Sequence, residues 1–311
     1  MSTHASSKLD GVSWTLLLVL ALLWSISFIF IKVAGEEIPV FTLVLVRVGL
    51  AALVLHALLL ARGRAYPRQR KLLLRYVVMG LLNNVIPFAL IFYATASIGA
   101  GAASILNATS PIFALLVAHV ATADEKVTPA KLAGILLGFG GVVAMVGPDA
   151  LAGLTLDVLP AGAMLLASFF YGVSVVFGRS FRDIDATVSA TYQLTASTLV
   201  LLPIALIVDR PWLIPMPSAT SIVSAVGLAI LSTSFAYILY YALIRRAGAT
   251  NTILVTLLIP VGGVVLAWLL LGETFTPAEA AGMLLIGTGL LVIDGRALAR
   301  LRRPVVAGTS G

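Results

Sequence analysis

The chain contains no cysteine, and this absence excludes disulfide bonds, iron–sulfur clusters and thiol chemistry together. Histidine is almost as scarce, since His4, His56 and His119 are the only three in 311 residues. Three scattered imidazoles, one of them in a polar tail, are poor material for a metal site. We therefore expect no metal ion and no cofactor.

Charged residues are also scarce. Only 11% of the residues are charged and 60% are hydrophobic, whereas a soluble globular chain has about 25% charged and about 45–50% apolar residues. Such a chain could not cover its surface with polar groups, so the composition predicts an integral membrane protein. The longest polar connections, 61–71 and 209–218, are too short to fold as soluble domains. Any function must therefore be performed inside the helix bundle.

Long apolar segments make up most of the chain. A membrane-spanning helix needs about 20 mostly apolar residues, and glycine, proline and other turn-forming residues separate ten segments of this kind. The sequence thus predicts an all-α integral membrane protein with ten transmembrane helices. The predicted segments are 13–33, 39–60, 72–95, 98–121, 129–147, 158–179, 186–208, 219–243, 248–271 and 277–294.

The basic residues indicate the orientation of these segments. With the N-terminus in the cytoplasm, 17 of the 20 lysines and arginines fall in cytoplasmic connections or tails, and only Arg210 falls on the opposite side. Cytoplasmic loops of membrane proteins carry such an excess. The sequence therefore predicts that both termini are cytoplasmic, and the net charge of +7 needs no nucleic-acid partner to explain it.

The two halves of the chain resemble each other. The run from Trp24 to Lys32 returns 147 positions later as the run from Tyr171 to Arg179, with an aromatic residue, a serine, a phenylalanine and a cation in register. Each half holds five predicted spans, and because five is odd the second half enters the membrane from the opposite side. Inverted repeats are typical of secondary transporters, where they place a site near the midplane that can open to either side. The alternative is that duplication merely made a larger bundle.

This repeat sets the predicted organisation of the chain. We expect a cytoplasmic tail at 1–12, a first five-helix repeat at 13–147, a second at 158–294 and a basic cytoplasmic tail at 295–311.

Four motifs carry a resemblance to a known family. They are Trp24-Ser25-x-Ser27-Phe28-x-x-x-Lys32, Arg47 in the second span, the stretch from Ser104 to Pro111 with Asp124-Glu125-x-x-x-Pro129, and the stretch from Pro260 to Leu271-Gly272-Glu273-x-x-x-Pro277. In these features the chain resembles the drug/metabolite transporter superfamily with two EamA-type five-helix repeats, and it is most similar to the YddG-type exporters of aromatic and other amino acids. The resemblance implies a bacterial inner-membrane protein with a central cavity, lined mainly by the first, third, fourth, sixth, eighth and ninth spans. The fifth and tenth spans would pack at the periphery.

Amides within the spans are candidates for this cavity, because polar groups at membrane depth are costly. Asn83 and Asn84 lie in the third span shortly before Pro87, and Asn107 lies one turn before Pro111. These amides could hold an amino or a carboxyl group without carrying charge. Hydrogen bonding between helices is the alternative interpretation.

Aromatic residues recur on the same spans, and a pocket lined by rings suits apolar or aromatic substrates. Ser27 and Ser174 each follow an aromatic residue, Trp24 or Tyr171, by three positions and so share its helix face. Tyr240 lies nearer the end of its span, where we expect a tyrosine of the interfacial belt. The predicted cavity residues are Trp24, Ser27, Asn83, Asn84, Phe88, Asn107, Tyr171, Ser174 and Tyr237.

Three cations lie in or near the spans. Lys32 and Arg179 occupy equivalent positions of the two repeats, and either could attract a substrate carboxylate, act at a gate or extend to the lipid headgroups. Arg47 lies deeper, and we expect it to bind helix-terminal carbonyls or the carboxylates of Glu36 and Glu37.

These features predict a transporter that exports neutral amino acids, aromatic ones included, or similar small metabolites by alternating access. The movement is expected to be facilitative, because all 13 acidic residues fall in loops or at span ends. A proton-coupled multidrug or metabolite exporter, an uptake permease and, more remotely, a membrane scaffold without transport are alternatives. An enzyme is not expected, since no His-Glu-x-x-His motif or mid-span carboxylate pair occurs. The expected partners are a small solute and the lipid bilayer, with the protein a monomer.

Overall fold

The computed structural model describes residues 9–63, 70–146, 158–271 and 276–294, and these residues form helices joined by short turns, with no strand among them. The tails predicted at 1–12 and 295–311 lie outside the described residues, apart from 9–12. The α-helices are α1 (Gly11–Gly35), α2 (Val40–Ala61), α3 (Arg70–Gly80), α4 (Ile86–Asn107), α5 (Ser110–Ala121), α6 (Pro129–Val146), α7 (Val158–Gly178), α8 (Ala186–Val208), α9 (Ala219–Ala229), α10 (Ala236–Ala247), α11 (Ala249–Ile253), α12 (Val255–Leu271) and α13 (Pro277–Asp294).

Within the described ranges, seven helical segments are long and apolar enough to cross a membrane, and three more are apolar but shorter. The shorter ones are Ile105–Ala121, Pro129–Met145 and Pro277–Ile293. Each of these segments overlaps one of those predicted from the sequence, and the crossing of the membrane by all ten stays a prediction. One predicted boundary is wrong. The segments 72–95 and 98–121 were expected to be separated by a turn at 97–99, whereas α4 runs through these residues without a break.

Local side-chain chemistry fixes several helix ends. The carboxylate of Asp10 accepts a hydrogen bond from the Ser13 amide at the start of α1, at 2.8 Å, and Asp185 caps α8 in the same way. Such caps satisfy amides that have no partner within the helix. Between α10 and α11 the chain turns at Gly248, whose φ of +84° is a left-handed conformation that glycine adopts without strain.

Two π-helical turns interrupt the bundle at equivalent places in the two halves. One, Leu81–Val85, joins α3 to α4, and the other, Ile230–Phe235, joins α9 to α10. A π turn widens the helix by one residue and often accompanies a functional site. Here the first turn carries the two adjacent asparagines, and the second carries Ser232, Thr233 and Ser234.

Helices α6 and α13 pack against each other through glycines. A Cβ on Gly141 would lie 2.7 Å from the carbonyl oxygen of Gly282, and a Cβ on Gly134 would lie 2.5 Å from that of Gly289. Small residues at such positions let two backbones approach closely. The two contacts are related by exchange of the halves, since Gly282 and Gly289 follow Gly134 and Gly141 by 148 positions.

Other helix pairs repeat in the same way. α5 packs on α7 as α12 packs on α1, and α3 packs on α8 as α9 packs on α2. In each case, exchanging the two halves of the chain converts one packed pair into the other.

Contacts between loops distinguish the two ends of the bundle. At one end, hereafter the basic end, Arg246 pairs with Asp10 at 2.8 Å and Arg75 donates to the carbonyl of Ser180 at 2.5 Å. At the opposite end, Glu37 accepts hydrogen bonds from the backbone and hydroxyl of Ser218. The hydroxyl and the amide of Ser13, together with the neighbouring Arg246, lower the pKa of Asp10 to about 2, so this residue is ionised at neutral pH.

Candidate functional site

A cavity of about 110 Å³ lies inside the bundle between the two halves. That volume has room for several water molecules. Its walls come from both halves and include both aliphatic and aromatic side chains. The lining residues are Trp24, Ser27, Ile31, Arg47, Asn83, Phe88, Ile91, Phe92, Asn107, Tyr171, Tyr237, Tyr240, Ile253, Thr256 and Ile259.

Seven of the nine cavity residues predicted from the sequence contribute to this lining. They are Trp24, Ser27, Asn83, Phe88, Asn107, Tyr171 and Tyr237. The other two, Asn84 and Ser174, are fully buried behind the wall. Ser174 Oγ accepts a hydrogen bond from Asn83 Nδ2 at 2.8 Å, so it positions a lining residue without lining the cavity itself.

Gln193 of α8 connects the buried amides. Its Nε2 donates to Asn83 Oδ1 at 2.9 Å and to Asn84 Oδ1 at 2.7 Å, while its Oε1 accepts from the hydroxyl of Tyr241 at 2.5 Å. Asn84 Nδ2 in turn donates to Tyr237 Oη at 2.5 Å. A satisfied polar network in a dry interior is rigid. It therefore fixes the Asn83 and Tyr237 side chains that face the cavity.

Aromatic rings form one side of the cavity. The ring of Tyr240 lies 6.0 Å from that of Trp24 and 5.9 Å from that of Tyr237, both in tilted contact. Tyr240 is only 2% exposed, so its assignment to the interfacial belt is wrong. Its hydroxyl has no hydrogen-bond partner among the described residues.

Arg47 enters the cavity wall, contrary to its expected pairing with Glu36, Glu37 or helix-terminal carbonyls. Its Nε donates to Thr233 Oγ1 at 2.9 Å, and its guanidinium carbon lies 4.5 Å from the centre of the Phe88 ring. That geometry is a cation–π contact. The residue is 7% exposed, and α2 carries it well inside the bundle.

Arg179 lies outside the cavity, in a cluster at the basic end. One guanidinium nitrogen lies 2.5 Å from Asp124 Oδ2 and the other lies 3.3 Å from Glu125 Oε1. Glu125 is buried and accepts hydrogen bonds from the amides of Ala249 and Thr250, each at 2.9 Å. This cluster joins the ends of α5, α7 and α10–α11. The side chain of Lys32, its counterpart in the first repeat, lies outside the described residues.

Several lining residues were not predicted. Ile31, Ile91, Ile253 and Ile259 carry no sequence signal, because isoleucine in an apolar span fits any environment. Gln193 could have been found, since an amide in the middle of a span is as costly as those of Asn83 and Asn84. Among the described residues, no cluster of histidine and carboxylate side chains could hold a metal ion.

Comparison with known proteins identifies a family for both halves. The sequence model of the EamA-like transporter family matches residues 12–147 and again residues 159–294. The chain is 24% identical to a Bacillus subtilis protein named "Uncharacterized transporter YoaV", over 87% of this chain and 92% of that protein. It is 27% identical to the "Probable terminal-alkyne amino-acid exporter" of Streptantibioticus cattleyicolor, over 97% and 99% of the two chains. It is 28% identical to the "Probable amino-acid metabolite efflux pump" of Escherichia coli, over 92% and 95%.

A solved crystal structure shares the fold. It superimposes with a TM-score of 0.74 over 94% of this chain and 99% of the other, at 20% sequence identity. At that identity the similarity concerns the helix arrangement alone.

Proposed function

This chain belongs to the EamA-like transporter family, and from that premise we propose that it exports neutral amino acids, aromatic ones included, from a bacterial cell by alternating access. It is a multi-pass membrane transporter. The observation that carries the finer proposal is the cavity, where aromatic rings and uncharged amides face the same space. Rings bury an apolar side chain, and amides form hydrogen bonds with the polar groups of an amino acid.

Two relatives support the choice of amino acids, because their names describe an amino-acid exporter and an amino-acid metabolite efflux pump. A relative from Chlamydia trachomatis, 25% identical, is named as an S-adenosylmethionine/S-adenosylhomocysteine transporter. Both of those solutes also carry an amino-acid group, so the shared chemistry is an ammonium and a carboxylate on one carbon.

The proposed topology has ten membrane spans in two inverted five-helix repeats. Its support is the recurrence of helix contacts under exchange of the halves, including the paired glycine contacts of α6 and α13. The excess of lysine and arginine assigns the basic end to the cytoplasm, with the protein in the bacterial inner membrane and both termini inside. Reporter fusions after Lys126, after Arg182 and at the C-terminus should then report cytoplasm. Cytoplasmic signals from fusions after Glu37 and Pro215 would reject this topology.

Alternating access requires that each end of the cavity can close. We assign the cytoplasmic closure to the cluster of Asp124, Glu125 and Arg179, which ties three helices together below the cavity. Outward opening leaves this cluster intact. Inward opening must break the contact of Arg179 with the two carboxylates, because Arg179 follows α7 whereas Asp124 and Glu125 follow α5.

Transport is proposed to be facilitative. A proton-coupled carrier normally needs a titratable group at membrane depth that can face both sides, and the part of the cavity lining that the structure describes contains no acidic side chain. A proton-coupled multidrug or metabolite exporter and an uptake permease of the same fold are the alternatives. The described lining holds no carboxylate to bind a cationic drug, which argues against the multidrug alternative.

Counterflow in proteoliposomes tests the proposal. Purified protein is reconstituted with an excess of one unlabelled solute inside, and uptake of the same solute in labelled form is followed, in turn for phenylalanine, leucine, glutamate and an aromatic cation. We expect transient accumulation of the two neutral amino acids above their equilibrium level, and none in protein-free vesicles. Accumulation of the aromatic cation without phenylalanine or leucine would overturn the proposed substrate class.

A further inference from the structure

The guanidinium of Arg47 is a buried cation without a protein counter-charge. None of the carboxylates in the described ranges forms an ion pair with it, and one hydrogen bond to Thr233 accounts for only one of its five N–H donors. The Phe88 ring offsets part of the cost of burial. Among the described residues that line the cavity, it is the single charged side chain.

A charge in this position is costly to bury. Arginine stays protonated in proteins, so it cannot lower the cost by losing its proton. Removal of an unpaired ion from water costs several kcal/mol, which a nearby opposite charge can repay. Since none of the described carboxylates lies there, an anionic group on the transported solute is the natural partner.

A second unpaired group lies at a similar depth. Asn107 Oδ1 is a buried acceptor with no partner in the described part of the chain. Arg47 precedes the end of α2 at Ala61 by 14 residues, and Asn107 precedes the end of α5 at Ala121 by 14 residues. At a rise of 1.5 Å per residue, both lie about 20 Å from the basic end.

The phenol rings lie closer to that end. Tyr171 precedes the end of α7 at Gly178 by seven residues, and Tyr240 precedes the end of α10 at Ala247 by seven. Both rings are therefore about 10 Å from the basic end. Across the cavity, the cation and the free acceptor share one level with the Phe88 ring, and the Tyr171 and Tyr240 rings lie nearer the basic end.

We propose that Arg47 binds the carboxylate of the transported amino acid, that Asn107 Oδ1 accepts a hydrogen bond from its ammonium, and that its side chain points toward the basic end among Tyr171 and Tyr240. This proposal rests on the proposed function and specifies it further. A guanidinium holds a carboxylate through two parallel hydrogen bonds. The same fixed charge repels cations, so the site selects for a carboxylate and against organic cations.

The test compares ligands that differ in one charged group. Purified protein in detergent is titrated with phenylalanine, with 3-phenylpropionate, which lacks the ammonium, and with phenylalaninamide, which lacks the carboxylate. Binding is followed by the rise in melting temperature. We expect phenylalanine to bind best, 3-phenylpropionate next, and phenylalaninamide weakest. Phenylalaninamide binding as tightly as phenylalanine, or no binding of either carboxylate, would overturn the proposal.

Variants assign this preference to Arg47. Arg47→Gln should weaken phenylalanine binding about ten- to hundredfold, the range for loss of a charge-assisted hydrogen bond, and should remove the discrimination against phenylalaninamide. Arg47→Lys should retain the discrimination with weaker binding, because it keeps the charge and loses the planar fork. Arg62→Gln, at the exposed end of the same helix, is the matched control and should bind like the wild type.

The ligand-free melting temperature separates this role from a structural one. Because Arg47→Gln removes an unpaired buried charge, the empty variant should melt at the wild-type temperature or above it. A marked fall with unchanged ligand preference would show that Arg47 only supports the fold. If Arg47→Gln showed phenylalanine counterflow with undiminished affinity, only the proposed role of Arg47 in carboxylate binding would be overturned. If the wild type showed Arg47-dependent binding without counterflow, only the proposed function would be overturned.

Discussion

The first half of the chain furnishes the cavity with its cation and amides, whereas the second half furnishes its phenol rings. Arg47, Asn83 and Asn107 come from the first half, and Tyr171, Tyr237 and Tyr240 from the second. Yet the helices of the two halves pack in matching pairs, and each half has a π turn at the equivalent place. The backbone is thus nearly symmetric while the side chains are not. Under the proposed function, the repeated helix arrangement serves alternating access, and the different side chains let the cavity bind two different groups of one solute.

Replacement of an aromatic cavity residue, in either half, is expected to have the largest effect on transport. Trp24→Ala and Tyr171→Ala each remove a ring from the cavity wall, and the burial of such a side chain contributes about 1.5–3 kcal/mol. Transport of phenylalanine and tryptophan should fall about ten- to hundredfold in proteoliposomes, with less effect on alanine. Trp212→Ala, an exposed aromatic residue of a loop, is the control. Wild-type transport by both cavity variants across the amino-acid panel would remove these rings from the site.

The two π turns allow a comparison of equivalent polar residues. Asn84 bonds to Tyr237, Gln193 and Ser197, whereas Ser232, 148 positions later, has a buried hydroxyl without a partner among the described residues. Asn84→Ala should destabilise the protein by about 2 kcal/mol, because it leaves buried partners unsatisfied. Ser232→Ala should have almost no effect or a small stabilising one. The melting temperatures of the two variants in detergent measure these effects. Equal shifts would mean that the hydrogen bonds of Asn84 stabilise the protein no more than the unpaired hydroxyl of Ser232 does.

Glycine substitutions test the symmetry of the backbone. Gly141→Ala brings a carbon to within 2.7 Å of the Gly282 carbonyl oxygen, and Gly289→Ala, its equivalent, brings one to 2.8 Å from the Gly138 nitrogen. We expect each variant to lose about 1–2 kcal/mol of stability through overpacking. Gly140→Ala meets no atom within 4 Å and is the matched control. A large loss for one glycine and none for its equivalent would contradict the symmetric packing of α6 and α13.

The smallest expected effect concerns acid. A hydrogen bond from Arg179 lowers the pKa of Asp124 below its usual value of 3.8. A carboxylate with a lowered pKa contributes stability above the unfolded-state pKa and loses that contribution as the pH falls through the folded-state value. Closure at the basic end should therefore be constant from pH 6 to 8 and weaken only below about pH 4. The Asp124 side chain is 56% exposed, so the contribution is below about 1 kcal/mol.

Asp124→Asn tests this contribution at neutral pH. It should increase accessibility of the cavity from the basic end slightly, measured by labelling of a cysteine introduced at Thr256 in this cysteine-free chain. Thr256→Cys alone is the reference for this labelling. Because thiol ionisation itself accelerates labelling from pH 6 to 8, each rate is divided by that of a free thiol at the same pH. A strong pH dependence that remains after this correction would point to a different titrating group.

Most of the helices could be predicted from the sequence, because runs of apolar residues in a bilayer have few other structures available. The turn predicted at 97–99 is wrong, because serine and glycine do not end a helix where tertiary contacts stabilise it. The π turns gave no signal at all, because one inserted residue leaves composition and hydropathy unchanged. Both depend on packing between distant segments.

The candidate site was predicted in part for a similar reason. Polar and aromatic residues in the middle of spans are rare enough to stand out, and seven of the nine selected residues line the cavity. Depth in a span does not show which face of the helix a residue occupies, and so Asn84 and Ser174 were assigned to the cavity although they lie behind it. Arg47 was assigned to helix-terminal carbonyls or to Glu36 and Glu37, and its position in the cavity wall emerges only from the folded arrangement.

The most direct test of uncoupled export through one shared cavity is counterflow with a simultaneous measurement of internal pH. Proteoliposomes loaded with unlabelled phenylalanine and a pH-sensitive dye are diluted into labelled phenylalanine. We predict transient accumulation of label at constant internal pH, since the cavity offers no acidic group to carry a proton. Accumulation accompanied by proton flux at a fixed stoichiometry, or no accumulation at all, would contradict the account.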